Sequence, residues 1–270
     1  MSKFLAVLAP LWLLCTLPGQ AQVQGAILLR LAPPVGTVSR YHMRIDISVL
    51  AGDAAAAGMN ISQHLYQTHR VTEALGDTRT FQITLDSMRL DPGSPMPMDL
   101  SRLDGMVQTV VMDERGRVRS MSVDSSTVPA EVRGMLGMVT SAMPGVSHEF
   151  PETPVSPGES WEATAEFGGV AGAASNATAR YRYELDRIEG RGEDRRAIIA
   201  VTGTIDGDVA TGMGGAAISG DVSGEFTVAV ATGRMEELRM EMVMDTAAPG
   251  MGAASVTTDI HMGLMRDPGA

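Results

Sequence analysis

Arg40-Tyr41-His42-Met43-Arg44-Ile45-Asp46-Ile47-Ser48-Val49 is the stretch whose spacing decides the fold. Tyr41, Met43, Ile45, Ile47 and Val49 alternate with Arg40, His42, Arg44, Asp46 and Ser48. Successive strand side chains point to opposite faces, so this spacing predicts a strand with one apolar and one polar face. Residues 59–75 and 78–90 continue as strands, the second with Phe81, Ile83 and Leu85 in phase. A hairpin follows. Residues 105–112 run in, Asp113-Glu114-Arg115-Gly116 turns, and 117–123 run out. Glycine closes such a turn because it accepts positive φ. Further strands are predicted at 159–167, 178–189, 195–206, 217–230, 234–246 and 253–265, with tight turns at 190–194 and 231–233. Residues 168–176 and 207–215 read as small-residue loops. Each half thus holds five or six consecutive strands, as in antiparallel meanders.

One segment departs from this period. Over 129–143, Val132, Met135, Leu136, Val139 and Met143 fall on one helical stripe. Pro129 and Glu131 suit a helix start, and Pro144-Gly145 ends it. Gly134 and Gly137 each cost about 1 kcal/mol relative to Ala, so this helix needs a sheet to lie on. The expected fold is mainly β: a curved antiparallel sheet or pair of sheets, clam or half-barrel, of about 11 strands, with this amphipathic helix on the concave face. A proline-rich bridge over 144–160 is the best boundary between two lobes of a single domain spanning 22–270.

The first 21 residues read as a secretory signal. Lys3 supplies the positive region, 4–17 a short apolar run, and Gly19-Gln20-Ala21 a cleavage site before Gln22. The run is too short for a bilayer, which takes about 20 residues, and no segment of 22–270 is long and apolar enough to span one. Leu14 before Cys15 argues against a lipoprotein signal, which needs a small residue there. The expected address is the periplasm, cell envelope or exterior of a bacterium, since an exported chain without cysteine is ordinary there.

The only Lys and the only Cys of the 270 residues lie inside that signal, leaving 20 Arg against 32 Asp and Glu. Disulfides, cysteine nucleophiles, cysteine metal sites and lysine Schiff bases are therefore excluded. An acidic chain without a basic tract is also a poor ligand for nucleic acid.

Catalytic and metal patterns are weak. Gly158-Glu159-Ser160-Trp161-Glu162 lacks the final glycine of a nucleophile elbow, and His148-Glu149 opens no H-E-x-x-H. His64 and His69, five apart, point to opposite faces, whereas pairing around residue 54 could bring His42 and His69 onto one face. Asp206-Gly207-Asp208 offers hard oxygens without an EF-hand series. The glutamates near the bridge (Glu152, Glu159, Glu162) and at Glu236, Glu237 and Glu241 read as solvated faces. No enzyme activity, cofactor or metal is expected.

The 19 Met after the signal are the unusual enrichment. Met240, Met242 and Met244 would share one strand face, and Met96-Pro97-Met98 repeats the spacing. Thioethers suit Cu(I), but most of the other Met sit singly in predicted elements, as core filler or pocket lining would. Met240, Met242 and Met244, with the helix residues Val132, Met135, Leu136, Val139 and Met143, are the candidates for lining an apolar site.

Four features carry a resemblance: the exported N-terminus, Pro33-Pro34-Val35-Gly36 leading to Tyr41, the Gly116 hairpin, and Pro154-Val155-Ser156-Pro157-Gly158-Glu159-Ser160-Trp161. Together they resemble a family of uncharacterised bacterial exported proteins, domain of unknown function six-two-six-three. Pro154, Val155, Gly158 and Trp161 form its most specific motif. The resemblance implies no activity and no catalytic residue. In outline, the curved sheet with a covering helix is also similar to periplasmic lipoprotein carriers of the Lol type. The expected function is a non-enzymatic module that binds a lipid or other apolar small molecule. The alternative is a structural or interaction protein of the envelope, with a packed core and a protein partner.

Overall fold

The computed structural model describes residues 25–51, 58–92, 100–124, 148–167, 177–211, 214–248 and 252–265. The helix expected over 129–143 lies outside the described residues, as do 168–176; no α-helix occurs among the described ones.

Among the described residues, eleven strands form one antiparallel sheet. They are β1 (Val38–Ala51), β2 (Met59–Leu75), β3 (Thr78–Leu90), β4 (Val107–Asp113), β5 (Val118–Val123), β6 (Ser160–Phe167), β7 (Ala177–Glu189), β8 (Arg196–Thr211), β9 (Gly214–Ala229), β10 (Met235–Ala248) and β11 (Gly252–Leu264). Their spatial order is β5-β4-β3-β2-β1-β11-β10-β9-β8-β7-β6. Each half is a meander, and the first and last strands of the chain join the halves, with Tyr41 opposite Leu264 and Ile45 opposite Ile260. One region departs from its expected loop. Residues 207–211 and 214–215 continue β8 and β9, paired from Gly207–Ile218 to Thr211–Gly214. The ladder there is made by backbone groups, which small residues supply as well as large ones.

Alternation sets the two faces. Tyr41, Met43 and Ile45 face inward with Leu65 on β2, Met262 and Ile260 on β11, and Leu238, Met240 and Met242 on β10. The main buried cluster spans β6 to β11 and β1, and Phe81 and Met112 pack against it from β3 and β4. A second cluster joins Leu65, Leu85 and Met88 to Leu103 and Met106 around a short 3-10 turn at Ser101–Leu103, and shares Met43 and Ile45 with the first.

One end of the sheet is capped by two straps, 25–37 and 148–159. Ile27 and Val155 exchange backbone hydrogen bonds of 2.8 and 2.9 Å. Leu29 and Phe150 are fully buried beneath them. Each strap reaches the hairpin turns: the Leu31 N–H donates to the Glu114 carbonyl at 2.7 Å and that of Ala32 to the Thr232 carbonyl at 2.8 Å. Arg115, on the β4–β5 turn, donates Nε to the Phe150 carbonyl at 2.9 Å and pairs with Glu149 at 2.7 Å. Trp161, on β6, donates Nε1–H to the Glu149 carbonyl at 2.6 Å. The two outermost regions of the sheet thus meet on one strap residue, Glu149, which requires the sheet to curl round it.

Glycine permits that curl. Gly224 stands opposite Met240, and a Cβ there would lie 2.3 Å from the Arg239 carbonyl oxygen and 2.9 Å from Met240 Cα. β9 presses on β10 where no side chain intervenes. Both obstacles are backbone, so Gly224→Ala should lower unfolding stability by about 1–3 kcal/mol. Gly263→Ala, whose Cβ would meet nothing within 4 Å, serves as the control in urea denaturation.

Candidate functional site

The inner face changes character along the strands. Near the straps it is packed solid: Phe226 stands opposite Ile199 and Leu238, and His148 lies 5.3 Å from the Phe150 ring and 5.7 Å from the Phe226 ring. Trp161 stacks on Tyr183 at 5.5 Å. Away from the straps, the rows hold Ile47, Val49, Met59, Ile61, Met244 and Val256, each half-buried. Ile47 stands opposite Ile61, Val49 opposite Met59, and Val256 opposite both Val49 and Met244. Among these six, only Met244 packs against a buried cluster.

The predicted residues fall as follows. Met240, Met242 and Met244 do share the inner face of β10, Met242 buried and its two neighbours partly so. They meet Gly224, Val222 and Gly220 of β9, and the two glycines leave room for the long thioethers. Val132, Met135, Leu136, Val139 and Met143 lie outside the described residues. Val155 and Trp161 hold the second strap as described above. Gly158, at φ +87°, turns it so that its N–H donates to the Leu185 carbonyl at 2.7 Å. Pro154 is exposed at the strap's bend.

The histidine expectation needs correction. Pairing does centre on residue 54, as Val49–Met59 requires, but this puts His42 opposite Tyr66 on the outer face. His69 lies on the inner face, opposite Ser39 and 4.6 Å from the Tyr41 ring. An even and an odd position cannot share a face across this register. His42 instead stacks on Tyr66 at 4.7 Å and reaches His64 Nδ1 at 2.9 Å, while His64 Nε2 meets Asp91 at 3.0 Å. Among the described residues, no three His, Cys, Asp or Glu converge as metal ligands. Asp206 and Asp208 lie within β8, with Asp206 facing Arg180 at 3.7 Å.

Sequence reading missed the buried polar side chains. Ser39, Gln67, Gln108 and Asp113 are all buried. Asp113 accepts the Arg115 and Arg117 N–H groups at 2.9 and 3.0 Å, and the Arg117 and Arg119 guanidinium groups at 2.7 Å each. Those donors hold its carboxyl below the usual range despite its burial. Desolvation pushes the His69 and His148 imidazoles down to about 4 and the Tyr41 hydroxyl up to about 12. The signal was available: Gln67 and Gln108 occupy positions that the period of their strands reserves for apolar residues.

No protein-family model matches the chain, and no curated protein matches it. Among solved structures, it is similar to lipovitellin, in a structure reported for its lipid–protein interactions. The TM-score is 0.51 at 11% identity, over 86% of this chain and 25% of the lipovitellin chain. This chain therefore spans about a quarter of that structure's length, and the likeness is one of fold. Among the described residues no helix is long and apolar enough to cross a membrane.

Proposed function

We propose that the protein is an exported, non-enzymatic module that binds a lipid or similar apolar molecule on the inner face of its sheet. One observation carries this reading: Ile47, Val49, Met59, Ile61 and Val256 present apolar side chains inward, half-exposed and outside both buried clusters. Apolar area left open inside a fold is an affinity for hydrocarbon, at roughly 25 cal/mol per Å² removed from water. Met240 and Met244 border this area, and thioethers adapt to chains of differing shape. The lipovitellin likeness supports the reading by analogy of fold.

The full chain, purified and examined by native mass spectrometry, should retain apolar mass or bind a hydrophobic dye saturably while folded. An Ile47→Asp, Val256→Asp variant should bind at least tenfold less, with its circular dichroism spectrum unchanged. A folded wild-type protein that carries no apolar mass and binds no dye overturns the proposal. A reproducible crosslinked envelope partner would then favour the interaction reading.

A further inference from the structure

Five polar side chains interrupt the apolar inner face near the capped end: Ser39, Tyr41, Gln67, His69 and Gln108. Ser39 stands opposite His69, His69 opposite Ile83, and Ile83 opposite Gln108; Tyr41 stands opposite Gln67. Most of these groups have partners. The Tyr41 hydroxyl donates to the Met235 carbonyl at 2.9 Å, and His69 Nε2 lies 3.1 Å from Gln67 Oε1. Gln108 is the exception. It is 4% exposed, and its Nε2 is shut off from solvent with no hydrogen-bond partner among the described residues. Leaving a buried donor unmet costs about 1–3 kcal/mol, whereas a leucine of similar volume would have cost nothing of the kind. An amide kept there at that cost fits an acceptor that arrives with a ligand.

We propose that Gln108, across Ile83 from the Gln67–His69 pair on the same face, forms a subsite for the uncharged, oxygen-bearing end of a lipid, an ester carbonyl or hydroxyl. The hydrocarbon then lies against the half-exposed rows. Gln67 is six residues from Ile61 along β2, about 20 Å at strand rise, which matches an extended acyl chain. This inference rests on the lipid-binding reading and narrows it by charge. Every member of the polar group is neutral at pH 7: burial holds Tyr41 at about 12 and desolvation holds His69 at about 4. Arg79, on the same face of β3, is four residues from Ile83, about 13 Å at strand rise. Although its Nε is buried without a partner among the described residues, its Nη1 is tied to the Gly76 and Thr78 carbonyls, toward the β2–β3 turn and away from Ile83. A carboxylate or phosphate placed beside Gln108 would be a buried charge without a counter-ion, and that is costly.

The test uses the full chain at pH 7.5 with three probes: monoolein, oleate and hexadecane. Monoolein should bind at least tenfold tighter than oleate by native mass spectrometry titration. Gln108→Leu should weaken monoolein about tenfold and leave hexadecane unchanged. The same substitution should leave the ligand-free melting temperature equal or higher, since it removes an unmet amide. Gln108→Met repeats the test without a branched side chain. If hexadecane binds but oleate matches monoolein, or if both variants keep full monoolein affinity, the subsite is overturned and the lipid-binding reading stands. If no probe binds, both fall.

Discussion

Lowering the pH from 7 to 4.5 is expected to destabilise the protein steeply. His69 and His148 are held at about 4 by desolvation, against 6.5 for a free imidazole. His148 Nε2 has no solvent contact and no partner among the described residues. The unfolded chain therefore takes up these two protons first as the pH falls. Stability is complete above about 6.5 and declines toward 4, at up to about 1.4 kcal/mol per pH unit for each ring. The Asp113 carboxyl, held low by its arginine and backbone donors, adds a loss of the same sign at lower pH. Its contribution is present above the ordinary carboxylate range and disappears as the pH drops through its depressed value. Urea denaturation midpoints at pH 7.5, 6.0 and 4.5 measure the slope. A His69→Gln, His148→Phe variant should flatten it. A midpoint independent of pH over this interval would show that neither ring is desolvated.

Phe150→Ala should be the most damaging single truncation, at about 3–5 kcal/mol. The ring is fully buried in the main cluster and meets the His148 edge. Its backbone also ties the strap to the β4–β5 turn, its N–H donating to the Arg115 carbonyl at 2.8 Å and its carbonyl accepting Arg115 Nε. Emptying the site thus loosens the contact on which the two outer regions of the sheet meet. Leu28→Ala, on the exposed side of the other strap, should change stability by less than about 0.5 kcal/mol. The difference between the two midpoints in urea checks the prediction. Near-equal midpoints would mean that the straps do not close this end.

The strands themselves were legible. Alternation along Tyr41–Val49 and its counterparts located the strands, though not the extension of β8 and β9 through 207–211 and 214–215, because side-chain direction has a period of two that is written locally. The shared face of Met240, Met242 and Met244 followed from the same rule. The glycine at 116 and the paired turns at 190–194 and 231–233 were readable for a similar reason, since positive φ is a property of one residue.

Partnership was not written locally. That β1 pairs with β11, that Arg115 and Trp161 meet on Glu149, and that His69 faces inward while His42 faces outward all depend on register between distant segments. For Gln108, the period of its strand marked an inward position, but that its Nε2 has no partner there depends on its neighbours from other strands. By itself the sequence determined an antiparallel β chain and a methionine-rich apolar strand face. Tertiary structure alone decided which apolar residues are consumed in the capped end and which stay half-open. Burial is a sum over contacts from many strands, and no single stretch of chain carries that sum.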